Sequence, residues 1–338
     1  MKKSYLLVVV IMVLIAFGVH YFDFDPKTIT GKLVEPSADS YISDSGTIEV
    51  YFCPHQDCVT PLVSFLNSAQ ESIHCAMFEI DHPEIQQALL DKSKNIEVKI
   101  VTDNDYLYEF NHSFVKTDSW GLMHNKFCVV DGKKFSSGSM NPTVNCAHKN
   151  NNNLLLIESR ILAENYEAEF QEMWNGTFKK GSKVLTPQVQ LENTTISSYF
   201  CPEDDCAERV KNELEQAQES IYFMTFSFTH EGIANILLLK NVEKIPIHGV
   251  MEARQVTKYS QFSRLDYQNI DVVKDGNPQN MHHKVFIIDN ETVITGSFNP
   301  TEGGDEKNDE NILIIKDAGI AKLFLEEYAY VRAEADNN

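Results

Sequence analysis

The sequence predicts an α/β fold in which two duplicated α-β-α halves form a pseudo-twofold pair within one chain. Residues 51–54 (YFCP) recur as residues 199–202, and residues 69–73 (AQESI) recur as residues 217–221, both at an offset of 148. Such internal repetition is the mark of a duplicated architecture. In both halves predicted strands alternate with predicted helices, which favours βαβ units and a largely parallel or mixed sheet with helices on both faces.

The same elements are predicted in the same order in each half, from apolar runs, helical periodicity and the turn residues between them. In the first half they are strand Thr47–Phe52, a helix ending near Ser72, strand Ile73–Ile80, helix Pro83–Lys92 and strand Ile96–Thr102. In the second half they are strand Ile196–Phe200, a helix ending near Ser220, strand Ile221–Phe228, helix Glu231–Leu239 and strand Pro246–Met251. Each half is predicted to close with an apolar strand and an acidic amphipathic helix, Leu162–Trp174 or Ile320–Val331.

A polar motif occurs once in each half, within Met123–Asn141 and Met281–Asn299. Both copies read H-x-K-x4-D and continue to G-S-x-N-P-T. The first copy is predicted to form two strands, Lys126–Val130 and Phe135–Ser137, joined by a tight turn at its Asp. The copies are 158 residues apart, so the second half is longer before its motif than the first. Two full copies in one register indicate a shared chemical role rather than stray polar residues on half-buried strands.

The paired motifs resemble the HKD signature of the phospholipase D superfamily. The second copy, with MHHK, ITGSFN and the later NDEN, is especially similar to the compact Nuc-type endonucleases and to the mitochondrial cardiolipin hydrolase (Zucchini-like) branch. Those relatives carry one motif per chain and pair two chains, whereas here both motifs lie in one polypeptide. The resemblance spans about residues 47–332. It implies a phosphodiesterase with two phospholipase D-like halves, acting without a cofactor as a monomer with no obligate protein partner.

Hydrolysis of a phosphodiester requires that its negative charge be masked and that the leaving alkoxide be protonated. In each motif His and Lys are two residues apart on a strand, so their side chains point to the same face. Two such strands would place two imidazoles and two ammonium groups about one phosphate, one imidazole attacking and the other acting as acid and base. The predicted catalytic residues are His124, Lys126, Asp131, His282, Lys284 and Asp289. The predicted phosphate-binding or supporting residues are Ser139, Asn141, Ser297, Asn299, Glu310 and Asn152.

Within this set Asp131 and Asp289 are interpreted as structural anchors, because each follows four apolar positions at a turn. The sequence contains no H-E-x-x-H or comparable ligand set, so the predicted reaction uses no metal. The halves differ where Glu310 matches Asn152. The family pattern implies a carboxylate that orients the histidine of its own half, and such a carboxylate raises the imidazole pKa. The hypothesis is therefore that His282 is the proton donor and His124 the nucleophile, the alternative being that Glu310 merely pairs with a lysine.

Residues 1–22 are predicted to direct the chain to a membrane. Lys2 and Lys3 precede the uncharged run Tyr5–Phe22, which as a helix would span about 27 Å, close to the hydrocarbon thickness of a bilayer. Because positively charged residues precede the run and none follows it directly, we expect the N-terminus in the cytoplasm and the catalytic body outside. The segment is then either a membrane anchor or a signal peptide cleaved near Ala16–Gly18, which would release a secreted protein. The predicted segments are the anchor or signal peptide 1–22, tether 23–46, first half 47–178, linker 179–194 and second half 195–332.

Seven cysteines are too few for a disulfide-built scaffold, but four of them are placed symmetrically. Cys53 with Cys58 and Cys201 with Cys206 are close enough in sequence to form disulfides, which an exported protein favours. There are two alternatives: a metal site that uses His55, and free thiols. Zucchini-like relatives have a zinc module in this neighbourhood. The remaining cysteines, on or beside apolar strands, are predicted to be plain core residues. They are Cys75, Cys128 and Cys146.

Two substrate classes remain open. The first is membrane phospholipid, cleaved to phosphatidic acid, because tethering beside a bilayer raises effective substrate concentration. A net charge of −20 also weakens the case for polynucleotide. The alternative is a metal-independent Nuc-like endonuclease acting on DNA or RNA, which the compact size and the Nuc-like second motif favour. Loop aromatics are candidates to stack on bases or to dip into lipid, the alternative being that they simply pack: Tyr106, Tyr108, Phe110 and Phe114, or Tyr259 and Phe262. A non-catalytic scaffold or lipid-binding module is disfavoured because every motif residue is present in both copies.

Overall fold

Two β-sheets with matching strand order form the framework of the protein. The computed structural model describes residues 42–118 and 121–337. The predicted anchor at 1–22 and residues 23–41 of the predicted tether lie outside the described residues. Among the described residues, no helix combines the length and the apolar character needed to cross a membrane.

The elements follow the predicted duplication. The strands are β1 (Ile42–Asp44), β2 (Ile48–Cys53), β3 (Ser72–Met77), β4 (Glu97–Thr102), β5 (Val115–Thr117), β6 (Leu122–Met123), β7 (Lys126–Val130), β8 (Lys134–Gly138), β9 (Asn152–Glu158), β10 (Gln188–Leu191), β11 (Thr194–Cys201), β12 (Ile221–Thr225), β13 (Ile247–Met251), β14 (Asp271–Lys274), β15 (Lys284–Ile288), β16 (Thr292–Gly296) and β17 (Asn308–Lys316). The helices are α1 (Val59–Asn67), α2 (Pro83–Ser93), α3 (Val144–His148), α4 (Arg160–Trp174), α5 (Cys206–Glu215), α6 (Glu231–Val242), α7 (Phe262–Tyr267), α8 (Glu302–Glu306) and α9 (Ala318–Asp336).

The strand order of the first sheet is β2-β9-β8-β7-β3-β4-β5. The second sheet repeats it as β11-β17-β16-β15-β12-β13-β14, and adds β1 and β10 beside β11 and β6 beside β17. In the first sheet, β3 runs parallel to β4 and antiparallel to the motif strand β7. In the second sheet, β12 likewise runs parallel to β13 and antiparallel to the motif strand β15. The predicted mixed α/β architecture with two like halves is confirmed. The additional residues of the second half include α7, which precedes β14.

The helices form three layers around the two sheets. A central hydrophobic cluster takes residues from both sheets and from α4 and α9, including Tyr166 and Phe324, both fully buried. Two outer clusters lie under α1 and α2 on one sheet and under α5 and α6 on the other. Tyr166 packs its ring at 4.1 Å from Phe135 of the first sheet and 5.0 Å from Phe200 of the second. The two halves therefore share one core rather than meeting at a surface.

Local sequence explains why α4 forms and which face it buries. The Ser159 hydroxyl at its N-cap accepts a hydrogen bond from the Leu162 N–H, which satisfies one of the free donors of the first turn. Leu162, Tyr166 and Phe170 recur at a spacing of four and are buried on one face. Asp317 caps α9 in the same way through the Ile320 N–H. The two central helices thus begin at equivalent polar caps.

Two short strands lie in segments that the sequence interpretation assigned to connections. β1 lies in the predicted tether and pairs in parallel with β10, which lies in the predicted linker. Asp44 holds β1 in place, because its Oδ2 accepts hydrogen bonds from the Ser159 hydroxyl at 2.8 Å and the Ile161 N–H at 3.0 Å. Strands of three and four residues are too short for alternation of apolar and polar residues to be read from sequence.

Candidate active site

Both motif histidines are buried just before a central strand, and each is held by the opposite half. His124 precedes β7 and His282 precedes β15, with 7% and 8% of their surface exposed. The His124 N–H donates to the Asp309 carbonyl at 3.0 Å, and the His282 N–H donates to the Asn151 carbonyl at 2.9 Å. Each histidine backbone is thereby tied to the strand that begins the last β-α unit of the other half.

The side chains cross between halves in the same way. His124 Nδ1 lies 2.7 Å from Glu310 Oε2, and His282 Nδ1 lies 2.8 Å from Asn152 Oδ1. The Asn152 amide donates to the Cys146 carbonyl at 3.1 Å, which fixes its oxygen toward the imidazole. A carboxylate or amide oxygen can only accept, so both Nδ1 atoms carry protons and both Nε2 atoms are left for the substrate.

The expected pairing of Glu310 with the histidine of its own half is wrong. The reason is topological: β6, which ends one residue before His124, pairs with the start of β17 at Asn308 and Asp309. Glu310 follows directly and faces His124. The reciprocal bridge between Asn151 and Met281 brings Asn152 to His282. The roles inferred from that pairing therefore have to be assigned again.

The two lysines complete a cluster of four basic groups. Lys126 Nζ donates to the His124 carbonyl at 2.6 Å, and Lys284 Nζ donates to the His282 carbonyl at 2.7 Å. Each ammonium also lies 5.1 Å from the ring centroid of an aromatic residue, Phe78 or Phe226. Those rings meet the imidazoles edge-on at 5.1 and 4.8 Å. The two motifs thus contribute equivalent arrangements of histidine, lysine and phenylalanine to this cluster.

The electrostatics around these four basic groups suit an anion. Burial, and then the two lysines, lower the pKa of His124 and of His282 well below the ordinary value. Burial lowers the pKa of Lys126 to about 8. Burial together with Lys126 lowers the pKa of Lys284 well below its ordinary value. Burial raises the pKa of the Glu310 carboxyl to about 7, although the lysines act against it. A phosphate in contact with the histidines and lysines would stabilise the charged forms of these four basic groups.

The two motif serines support the histidine partners. The Ser139 hydroxyl donates to Asn152 Oδ1 at 3.2 Å and accepts from the Asn153 N–H at 3.0 Å. The Ser297 hydroxyl accepts from the Asn311 N–H at 2.9 Å. These serines therefore fix the strands that carry Asn152 and Glu310, one step behind the imidazoles.

The motif asparagines differ in what they contact. Asn141 donates to Glu79 Oε1 at 2.6 Å. The oxygens Asn141 Oδ1 and Asn299 Oδ1 are buried without a hydrogen-bond partner among the described residues.

Comparison with known proteins gives this site its context. The family model described as "Cardiolipin synthase, PLD-like domain" matches residues 62–174 and 210–331, and so covers most of the chain. The chain belongs to the phospholipase D superfamily. Its two matched segments correspond to the two halves, each with one motif. Homologues of this chain in the superfamily are phosphodiesterases or hydrolases.

Curated relatives match this chain over one half's length. "Phospholipase D" of Rickettsia conorii is 31% identical over 140 residues, which are 41% of this chain and 70% of that protein. "Mitochondrial cardiolipin hydrolase" of Xenopus tropicalis is 34% identical over 133 residues, covering 36% of this chain and 63% of the relative.

Solved structures match at two scales. Nuc of Salmonella typhimurium, a phospholipase D family member, is 28% identical and covers 42% of this chain and 96% of its own, with a TM-score of 0.40. Phosphatidylserine synthase of Haemophilus influenzae covers 85% of this chain and 86% of its own with a TM-score of 0.64. At 12% identity the second match shows a shared fold across both halves.

The motif aspartates of this phospholipase D-like chain lie at the far end of the motif strands from the histidines. Asp131 accepts hydrogen bonds from the N–H groups of Gln70, Glu71 and Ser72 at 2.8–3.1 Å. Asp289 accepts the equivalent three from residues 218–220. Burial raises the pKa of Asp131, but the three N–H groups outweigh it and the net pKa is below the ordinary value. These hydrogen bonds are those of a structural anchor, which is the role predicted for both aspartates.

The cysteines form more disulfides than predicted. Cys53–Cys58 and Cys201–Cys206 are bonded as expected, so neither pair is free to bind a metal with His55. The expectation that Cys75 and Cys128 are plain core residues is wrong, because they form a third disulfide. They lie directly opposite each other on β3 and β7, with Cα atoms 4.0 Å apart. Cys146 is a buried free cysteine, as predicted.

Sequence reasoning missed the polar layer behind the histidines. Asn311 donates to Asn125 Oδ1 at 2.7 Å, and Asn153 lies 3.1 Å from His283 Nδ1, so each pair joins the two halves. The signal was present in the matched positions of NNNN and NDEN after each motif. Glu79 was also missed, although it follows the aromatic Phe78 at a position where the second half has Ser227.

Proposed function

We propose that this member of the superfamily hydrolyses the head group of membrane phospholipids to leave phosphatidic acid, through a phosphohistidine intermediate. The observation that carries the proposal is the convergence of two imidazoles and two ammonium groups in one buried cluster, in which both lysines act on the pKa of each histidine. Each imidazole presents Nε2, since Nδ1 is bound by the opposite half. The names of the Rickettsia and Xenopus relatives, a phospholipase D and a cardiolipin hydrolase, support a lipid substrate.

The proposed roles follow from the single carboxylate. An imidazole that donates to a carboxylate is the better holder of a second proton. We therefore assign His124, paired with Glu310, as the general acid and base, and His282, paired with an amide, as the nucleophile. This reverses the roles inferred from the sequence, because the observed pairing is reversed.

The reaction proceeds in two steps. His282 Nε2 attacks phosphorus, the bond to the head-group oxygen breaks, and His124 Nε2 gives its proton to that oxygen. His124 then removes a proton from water, whose oxygen attacks phosphorus and releases phosphatidic acid and free His282. Lys126 and Lys284 hold the non-bridging oxygens where negative charge develops.

Anchoring would place this reaction beside its substrate. The proposal that residues 1–22 hold the body at the outer face of a membrane rests on the sequence of that segment alone, with Lys2 and Lys3 before an uncharged run. Fractionation of cells with protease added from outside tests it. A membrane-bound, protease-accessible body is expected, and a cytosolic protected chain would contradict the anchor.

The substrate is tested with the full chain in detergent micelles without divalent metal. Choline-, ethanolamine- and glycerol-headed phospholipids, single-stranded DNA and RNA are compared as substrates. The wild-type chain is expected to release the head group. The rate of release should fall by about 10³-fold or more in His124→Ala and in His282→Ala. Cleavage of nucleic acid alone would replace the lipid proposal by the alternative below.

One feature favours the nuclease alternative. A cleft of about 660 Å³ is lined by Lys258, Tyr259 and Arg264, with 69% of Tyr259 exposed. Cations beside an exposed aromatic ring are the combination that holds single-stranded nucleic acid. Glu231 and Glu302 line the same cleft and oppose a polyanion. Lys258→Ala should weaken nucleic-acid binding if this alternative holds and leave lipid hydrolysis unchanged.

A further inference from the structure

Three carboxylates outside the catalytic pocket converge between the two halves. Glu169 and Glu172 on α4 and Glu203 in the Cys201–Cys206 corner place one oxygen each within 4.8 Å of one another. Glu169 is only 6% exposed, and its side-chain contact is with Glu203. Among the residues that the structure describes, Glu169 forms no ion pair, and its side-chain hydrogen bond is with another carboxyl group, that of Glu203. A buried carboxylate in this state is costly unless a cation or proton compensates it.

The pseudo-symmetric position in the other half shows how such a carboxylate is compensated. Glu327 matches Glu169 at the offset of 158 that relates the motifs. It lies between two imidazoles, 2.8 Å from His283 Nε2 and 3.1 Å from His55 Nε2. Burial raises the pKa of Glu327, but the two histidines outweigh it, so the net pKa is below the ordinary value.

The residues around the two glutamates have opposite character. His55 matches Glu203 at the offset of 148 that relates the corners, and Tyr330 matches Glu172 at the offset of 158. The Tyr330 ring packs at 4.3 Å from the His55 ring. Both clusters join the two halves: Glu327 lies in a His-Glu-Tyr cluster, whereas Glu169 lies among three carboxylates. Burial and Glu203 accordingly raise the pKa of Glu169 well above the ordinary value.

A cleft leads to two of the three carboxylates. Its volume is about 380 Å³, and its lining includes Glu169, Glu172 and Ser182. The Ser182 N–H donates to Glu172 Oε1 at 3.1 Å, which orients that carboxylate. A fourth carboxylate, that of Asp309, contributes to the raised pKa of Glu169, and its Oδ2 is buried without a hydrogen-bond partner among the described residues.

We propose that Glu169, Glu172 and Glu203 bind a divalent cation of the oxygen-preferring class, such as Ca²⁺. An all-carboxylate ligand set suits Ca²⁺, Mg²⁺ or Mn²⁺ and not a thiolate- or imidazole-preferring metal. The cation joins α4 of the first half to the corner of the second, as His55 and His283 join Glu327 to the first half and the motif. It is a structural ion, separate from the four basic groups that face the phosphate.

The first test uses the full chain in detergent after dialysis against EDTA. Addition of Ca²⁺ at a hundredfold excess over its Kd should raise the unfolding temperature by about 5 °C. Titration calorimetry with CaCl₂ should give a stoichiometry near one. The same titrations with MgCl₂ and MnCl₂ rank the ions within the class.

Variants then locate the site. Glu169→Gln and Glu203→Gln should each abolish the Ca²⁺-dependent rise. Glu203→His, which introduces the residue of the other half, should raise the unfolding temperature without Ca²⁺ and remove the response to it. Glu326→Gln is the matched control, since Glu326 neighbours the equivalent residue on α9 and its side chain is 64% exposed. It should leave the response intact.

Two results would overturn the proposal. One is an unfolding temperature of the wild-type chain that none of the three ions changes, with no heat of binding. The other is a Ca²⁺ response that survives in both Glu169→Gln and Glu203→Gln, which would place the ion elsewhere. Stability that rises only as pH falls, without any ion response, would show that a shared proton compensates the carboxylates instead.

Discussion

At the scale of single residues, the two otherwise equivalent histidines differ in one partner. Glu310 faces His124, and Asn152 faces His282, at nearly equal distances. Both oxygens fix the same tautomer, but only Glu310 can carry charge. The proton-transfer roles therefore depend on this one position, which a double exchange of the two partners can test.

Glu310→Gln should lower kcat by about 10²-fold, because His124 loses the charge that favours its protonated form. With the wild-type chain, a trapped phosphoryl group is expected on His282, detected by mass spectrometry of the quenched enzyme. Combining Glu310→Gln with Asn152→Asp should move it to His124. Glu306→Gln, an exposed neighbour, is the control and should change neither quantity. A phosphoryl group on His124 in the wild type would contradict the assignment.

The pH dependence of kcat/KM should be bell-shaped within a narrow range. Burial raises the pKa of Glu310 to about 7, so activity should fall as pH drops below that value and the carboxylate is protonated. Burial lowers the pKa of Lys126 to about 8, so activity should fall again above that value as its ammonium is lost. Initial rates from pH 5 to 10 measure both limbs. Glu310→Gln should remove the acidic limb, and an unchanged limb would assign it to another group.

At the scale of elements, the motif aspartates hold the strand–turn junctions. Asp131→Asn should lower the free energy of unfolding by about 1–2 kcal/mol, since an amide cannot accept all three N–H groups and the site is partly exposed. Activity per folded molecule should stay within about threefold of the wild type. Because the pKa of Asp131 is below its ordinary value of 3.8, its stabilisation is present above that pH and is lost as pH falls through the folded-state pKa.

Urea unfolding at pH 7 and at pH 3 measures this difference. Asp91→Asn, on the exposed surface, is the control and should have no comparable effect. A loss of turnover in folded Asp131→Asn would instead indicate a catalytic role.

The disulfides should differ in how much each adds to the free energy of unfolding. Cys75–Cys128 closes a loop of 53 residues, whereas Cys53–Cys58 closes one of 5. By loop entropy, Cys75→Ala with Cys128→Ala should lower the free energy of unfolding by about 4 kcal/mol, against about 2 kcal/mol for Cys53→Ala with Cys58→Ala. Denaturant unfolding of the two double variants gives the comparison. Equal losses would show that residual structure in the unfolded chain removes the dependence on loop length.

At the scale of the whole molecule, the sequence predicted the repeated elements and motifs but not the contacts that depend on how the strands pair. The offset of 158 identified His124, Lys126, His282 and Lys284, because a repeated polar pattern on buried strands is rare. The pairing of Glu310 with His124 could not be read in this way, because it depends on β6 joining β17 across the halves. The bond between Cys75 and Cys128 likewise depends on the register of β3 against β7. A repeat can be recognised by comparing two stretches of sequence, whereas these contacts depend on the three-dimensional pairing of strands.

Because the two halves share one core, we expect a single chain to be the catalytic unit. Each histidine takes its Nδ1 partner from the other half, so neither half contains a complete site. Tyr166 packs against both sheets, so separating the halves would expose buried aromatic surface. Exchange of halves between folded chains should therefore be slow compared with an assay.

Mixing full-length His124→Ala with full-length His282→Ala tests this directly. Each variant alone should be inactive, and the mixture should stay inactive, because each wild-type histidine remains in a pocket that lacks its counterpart. Unfolding the mixture and refolding it together controls for exchange, since swapped pairs could then form one intact site. Light scattering of the wild-type chain in detergent should report one copy per micelle. Activity that returns on simple mixing would show that the halves exchange between chains and that the functional unit is a dimer.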